Sequence, residues 1–235
     1  PGYNPDQKYL SDTWEYNPET NSWRQMDDFK GGARYYALGF GIDNYGYVGT
    51  GYNDNYLKDF YRFDPTAAAG SQWTIVNGFG GQKRQGGTAF VIDGKAYVCG
   101  GQNNNSDVSD FWCFDPSAAT PWTQLRDIAN TSDDDYDDDY TSIVRSYGVS
   151  FVIDGKAYLT LGSTAGGSYY SNYWIYIPAT DLWEGDDLTA FEGSTRIHAV
   201  CFSTGTRGIV ATGGSGSSSY FDDTWELKPY EYEEE

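Results

Sequence analysis

The chain has 235 residues with 34 acidic against 15 basic side chains, a net charge of −19. That balance excludes a nucleic-acid partner, which needs a basic patch to displace counterions from phosphates. Aromatic residues make up 18% of the chain, which excludes a disordered acidic polymer. No run approaches the roughly 18 consecutive apolar residues that span a bilayer.

In chain order, residues 12–23 come first: Asp-Thr-Trp-Glu-Tyr-Asn-Pro and then Trp23. They predict the third and fourth strands, C and D, of a unit whose A and B are absent. The next unit runs from Arg34 through Tyr47-Val48-Gly49-Thr50-Gly51 and Asp59-Phe60-Tyr61-Arg62-Phe63-Asp64-Pro65 to Trp73. A second runs from Arg84 through Gly100-Gly101 and Asp110-Phe111-Trp112-Cys113-Phe114-Asp115-Pro116 to Trp122. A third runs from Arg145 to Trp183, and a fourth from Arg196 through Gly213-Gly214 to Pro229, with Glu234 where a final Trp would fall. The leading arginines recur at a period of about fifty residues with one insertion, the mark of a repeat architecture.

Each unit predicts four short strands. The first alternates small and large residues, as in Gly87-Thr88-Ala89-Phe90 and Gly148-Val149-Ser150-Phe151, which is period-two strand patterning. Asp93-Gly94 and Asp154-Gly155 are hairpin turns closing A onto B. Four-stranded sheets repeated around an axis make a β-propeller, whose closure protects sheet edges.

The glycines ending B, the Tyr or Trp in C and the spaced Trp in D resemble the kelch repeat over nearly the whole chain. More closely, Gly49-Thr50-Gly51-Tyr52 and the Asp-Phe-x-x-Phe-Asp-Pro run look like the tandem kelch lipoproteins exported by gut bacteria. The resemblance implies an all-β, kelch-type propeller of four-stranded antiparallel blades, at least five here and six in a longer protein. One domain is expected over 1–235: a partial blade at 1–30, blades at 31–80 and 81–126, an acidic insertion at 127–144, and blades at 145–190 and 191–235, the last lacking strand D. It also implies a periplasmic or outer-membrane location, with a lipid anchor on a missing N-terminal part.

Strand polarity puts the B–C loops, the D–A loops and the arginines on one face, and variable loops on a rigid scaffold are where binding sits. Arg34, Arg84, Arg145 and Arg196 either reach a central ligand, as the kelch resemblance implies, or pair with an Asp of the neighbouring blade. Asp12, Asp59, Asp110 and Asp223, with Asn172 in the same slot, could supply that partner. Tyr36, Tyr147 and His198 follow the arginines, and Tyr52, Tyr56, Asn103, Tyr169 and Tyr220 fall in B–C loops. Flat rings beside amides suit a glycan, and Tyr suits a protein partner equally; ordinary turn chemistry is the alternative.

Asp133, Asp135, Asp137 and Asp139, in the insertion, could wrap a hard cation such as Ca²⁺, or form a solvated charge run. No other cofactor is expected. Cys99 and Cys113 fall on adjacent strands and could form a disulfide or stay thiols, while Cys201 fills a small inward slot. No nucleophile elbow, phosphate loop or zinc spacing is present. The expected function is therefore non-enzymatic docking of a glycan or partner protein. The alternative is a sugar epimerase or mutarotase using His198 as half of an acid–base pair.

Overall fold

The structure, a computed structural model, describes residues 2–6, 8–185, 190–216 and 218–229. The expectation attached to Glu234 lies outside these residues. The regular secondary structure of the described chain is almost entirely strand: β1 (Gly2–Asn4), β2 (Lys8–Leu10), β3 (Trp14–Asn17), β4 (Ser22–Gln25), β5 (Leu38–Ile42), β6 (Tyr45–Gly49), β7 (Phe60–Phe63) and β8 (Trp73–Val76). There follow β9 (Thr88–Ile92), β10 (Lys95–Cys99), β11 (Gln102–Asn103), β12 (Ser106–Asp107), β13 (Trp112–Phe114) and β14 (Trp122–Gln124). The rest are β15 (Val149–Ile153), β16 (Lys156–Thr160), β17 (Trp174–Ile177), β18 (Leu182–Glu184), β19 (Val200–Ser203), β20 (Gly208–Ala211), β21 (Gly214–Ser215), β22 (Ser219–Tyr220) and β23 (Thr224–Leu227).

Four radial sheets carry inner strands. Three are complete antiparallel blades, β5-β6-β7-β8, β9-β10-β13-β14 and β15-β16-β17-β18; the fourth is β19-β20-β23. Ahead of them, β1–β2 and β3–β4 are separate hairpins, so against an expectation of at least five blades the structure has four plus this C–D pair. The fold is an all-β propeller. Residues 2–10 add something the sequence pattern had not separated. Leu10 bridges Arg34 just as Leu57 bridges Arg84, so β1–β2 is the B–C hairpin of the leading partial unit.

Each A strand packs against the next, which is why its side chains alternate. In β9, Phe90 and Ile92 face one neighbour while Ala89 and Val91 face the other. The core is accordingly three slabs between blades rather than one centre. Phe and Tyr stack across the A–B ladder at the same register in three blades: Phe40 on Tyr47, Phe90 on Tyr97 and Phe151 on Tyr158, each within 12° of parallel. Such directly opposed aromatic pairs stabilise a sheet by about 0.2–1 kcal/mol each. Asp93-Gly94 and Asp154-Gly155 take left-handed φ at both positions, the geometry a two-residue hairpin needs.

The glycine ending the B-strand corner is dictated by crowding. At Gly51, Gly101, Gly162 and Gly213, φ is +86° to +95°, and a Cβ would meet a backbone oxygen at 2.6–2.9 Å. Across three seams, the Gly51, Gly101 and Gly162 amides donate to the carbonyls of Arg84, Arg145 and Arg196 in the next blade.

Two alternatives that the sequence left open are distinguished here. The cysteines are all free: Cys113 sits opposite Tyr97, and Cys99 lies opposite Thr88 on the other neighbouring strand. The acidic insertion does not gather its carboxylates around a cation. Asp137 is fully buried and accepts hydrogen bonds from the Thr131 and Ser132 amides and the Ser132 hydroxyl, so it is consumed in shaping its own loop. Asp133, Asp135 and Asp139 face solvent. Among the described residues no cluster of three or more ligating side chains could hold a metal. Tyr140 instead anchors the insertion, its hydroxyl accepting from the Trp183 amide at 2.7 Å.

Candidate functional site

The four arginines are the largest fully buried side chains among the described residues, at 0–1% exposure. Their contacts repeat. Each Nε donates to the carbonyl two residues upstream, and each Nη1 to the carbonyl sixteen residues downstream, at the end of strand B. The rest of the fork meets the Asp that opens strand C: Arg34 with Asp59, Arg84 with Asp110 and Arg196 with Asp223. Arg196 chiefly, and then the Trp225 indole, hold the Asp223 carboxyl down at about 2.

Both sequence expectations for these arginines are therefore corrected. Their heads cannot touch a ligand because nothing of them is exposed. Their carboxylate partner lies in the same blade, so each guanidinium ties together the D–A connection, the end of B and the start of C. The arginine backbone, not the guanidinium, crosses the seam: the Arg84 amide donates to the Leu57 carbonyl and the Arg84 carbonyl accepts from the Gly51 amide.

Arg145 departs from the pattern. Asn172 occupies the Asp slot and accepts at 3.1 Å through Oδ1. Burial without a carboxylate pulls the Arg145 guanidinium down to about 10. Asn172→Asp should give the cation its missing counter-charge and stabilise the fold by about 1–2 kcal/mol. An upward shift of the urea midpoint with unchanged slope would show it; a downward shift would mean that the cost of burying a second charge dominates.

What the arginines hold in place is the mouth. The residue two positions after each is in left-handed conformation: Tyr36 (φ 54°), Gly86 (62°), Tyr147 (58°) and His198 (59°). Three of these four are bulky, and a bulky residue at positive φ costs of order 1–3 kcal/mol, a strain that concentrates at functional sites. Their rings converge. Tyr36 lies parallel to His198 at 5.0 Å, and Tyr147 tilts against both, at 4.9 Å from Tyr36 and 4.5 Å from His198. Gly86 makes room, since a Cβ there would stand 2.3 Å from the Tyr147 ring.

The side amides of Gln85 and Gln102 both donate to the Tyr147 hydroxyl at 2.9 Å and fix that ring. Burial pushes the Tyr147 phenol up to about 12, and it lowers the His198 imidazole below its ordinary range. Both are therefore neutral at pH 7, and the mouth is an uncharged aromatic surface in a strongly acidic protein.

From Tyr36 the aromatic surface continues outward. Tyr35 contacts Tyr36 at 4.3 Å, stacks on Tyr9 at 5.5 Å and meets Tyr3 and Tyr52; Tyr52 in turn meets Tyr56. Tyr9 donates to Asp54 at 2.7 Å, and that hydrogen bond is the main reason its phenol rises to about 12. Tyr3, Lys8, Tyr9, Tyr35 and Tyr36 line an open cleft of about 580 Å³.

Of the residues singled out from sequence, Tyr36, Tyr147 and His198 come together, and Tyr52 and Tyr56 join them through Tyr35. Asn103 pairs with Ser106 in the small β11–β12 hairpin. Tyr169 spends its hydroxyl accepting from the Gly216 amide of the next blade at 2.8 Å. Tyr220, 81% exposed, makes no ring contact with these residues but lines a cleft together with His198. Sequence reasoning missed Tyr3, Tyr9, Gln85 and Gln102. A signal was available for the first two, because Gly2-Tyr3-Asn4 repeats Gly51-Tyr52-Asn53.

The comparisons agree with this geometry. The Kelch motif family model matches residues 1–30 and 83–125. The fold is a kelch-type β-propeller. A solved structure titled "Structure of YjhT" superposes on this kelch propeller with a TM-score of 0.74 and 14% identity, covering 95% of this chain and 75% of that one. At that identity the likeness speaks to the fold alone. No curated protein matches the sequence. The kelch propeller is a general binding scaffold, and among the described residues no helix is long and apolar enough to cross a membrane.

Proposed function

We propose that this propeller is a non-enzymatic glycan-binding protein of the bacterial envelope, and that it binds through the aromatic mouth. The observation that carries the reading is the meeting of Tyr36, Tyr147 and His198, each at left-handed φ, on an uncharged and partly exposed surface. Sugar rings present C–H faces that lie flat on aromatic rings and a rim of hydroxyls that bond to amides and phenols. The mouth offers both, with Tyr36 38% exposed beside the Tyr3–Tyr9–Tyr35 array. The envelope location rests on the resemblance to exported kelch proteins. His198 packs between two tyrosine rings, which favours a contact role over proton transfer.

Tyr36→Gly is the informative variant, because Gly86 already occupies the equivalent position in the next blade and glycine relaxes the strained φ. On a glycan array it should lose binding by at least about tenfold, or 1.4 kcal/mol, with thermal stability kept or raised. Retained glycan binding would remove the mouth from the account. Capture of a protein with no response to any glycan would replace the sugar by a protein partner.

A further inference from the structure

The mouth holds a second cleft, and its placement indicates the shape of the ligand. It has a volume of about 530 Å³ and is walled by Ile197, His198, Gly214, Gly216, Tyr220 and Phe221. It is built from the β21–β22 hairpin and the residues that follow Arg196 in the same blade, whereas the cleft at Tyr9 joins β1–β2 of the leading unit to the residues that follow Arg34 in the next blade. The two clefts share no lining residue, yet they meet. Tyr36 ends the first and His198 begins the second, and these two rings are the parallel pair, 9° apart at 5.0 Å.

The floor between them is polar at one point. Gln85 is nine-tenths buried and donates to the Tyr147 hydroxyl, while its own Oε1 has no partner among the described residues. Tyr147 in turn touches both Tyr36 and His198. Beyond the stack, Gly214 and Gly216 contribute a stretch of wall without side chains, and Tyr220 lines the same cleft.

We infer that the ligand is a linear oligosaccharide lying across the Tyr36–His198 stack, with one sugar unit in each cleft, rather than a single sugar in one pocket. This rests on the reading of the mouth as a glycan site. Two clefts of similar volume that meet at one ring stack suit a ligand long enough to span both, and joining two weak subsites by one chain makes the second contact intramolecular.

The test is calorimetric titration of the full chain with size-graded xylo-, malto- and chito-oligosaccharides, from one unit to eight. Affinity for the preferred series should rise at least about tenfold once the chain spans both clefts. Tyr220→Ala and Tyr9→Ala, one in each cleft, should each bring the affinity of the longest chain down to that of the shortest binder. Affinity that is flat with length, or a rise surviving both substitutions, overturns the linear-chain inference while leaving the glycan reading intact. Failure of every saccharide at every length overturns the glycan reading and the inference with it.

Discussion

Arg84→Ala should lower the unfolding free energy by about 3–5 kcal/mol, the cost of leaving one member of a buried ion pair behind. Arg84 is fully buried; its Nε donates to the Gln82 carbonyl at 3.2 Å and its Nη1 to the Gly100 carbonyl at 3.1 Å. Its remaining nitrogen meets Asp110, whose side chain is only 9% exposed. Truncation strands that carboxylate and two carbonyls away from water. Arg84→Lys should recover little, because an ammonium cannot span three acceptors in the plane of the guanidinium fork. Arg24→Ala is the control: Arg24 pairs with Glu15 at the surface with 67% of its side chain exposed, and loss of such a pair costs about 0–1 kcal/mol. Urea unfolding of the three variants separates the cases. A stable Arg84→Ala protein would mean that the arginine is not the tie that its contacts describe.

The second large effect is expected at Gly162. Its φ is +86°, and an added Cβ would stand 2.6 Å from the Ser146 carbonyl oxygen and 2.8 Å from the Gly148 nitrogen. All of these are backbone atoms, so no side chain can swing away to relieve the clash. The same residue donates across the seam to the Arg196 carbonyl at 3.0 Å, and any shift that makes room lengthens that bond. Gly162→Ala should therefore cost about 3 kcal/mol or more, combining backbone strain with a lost inter-blade hydrogen bond. Gly155→Ala isolates the strain alone: its φ is +73° with nothing within 4 Å, and its cost should be near 1 kcal/mol. Equal costs at the two sites would show that the corner is more pliable than its packing indicates.

The blades were legible because their physics is local and repeated. Small–large alternation in strand A, Asp-Gly turns and Trp in strand D recur at one period, and each has a direct structural consequence. The arginines were legible as positions but not as roles. A charged residue leading each blade is equally consistent with a ligand ring and an internal tie, and only burial separates the two. The period itself held a clue, since Asp59, Asp110 and Asp223 recur with Arg34, Arg84 and Arg196 and so provide each cation with an anion. The exception, Asn172 opposite Arg145, is where that pairing fails and where the guanidinium is depressed. The acidic run at 133–139 was visible as charge, but its use was not. Asp137 turns inward to hold its own loop, a choice made by backbone geometry rather than composition. The aromatic mouth was half legible. Tyr36, Tyr147 and His198 could be named from their place after the arginines. Their convergence depends on left-handed φ at each position and on Gly86 leaving space, neither of which a residue count reveals.

The claim on which the account turns is that function sits on the exposed aromatic groove while the arginines beneath it serve the fold. Isothermal titration of one binding oligosaccharide against the native chain, Tyr36→Gly and Asn172→Asp tests it most directly, with thermal unfolding of each recorded alongside. The account predicts that Tyr36→Gly loses at least about tenfold in affinity without losing stability, whereas Asn172→Asp gains stability and binds as the native chain does. Full affinity in Tyr36→Gly, or an affinity that follows the charge placed beside Arg145, would contradict it and return the site to the arginine ring.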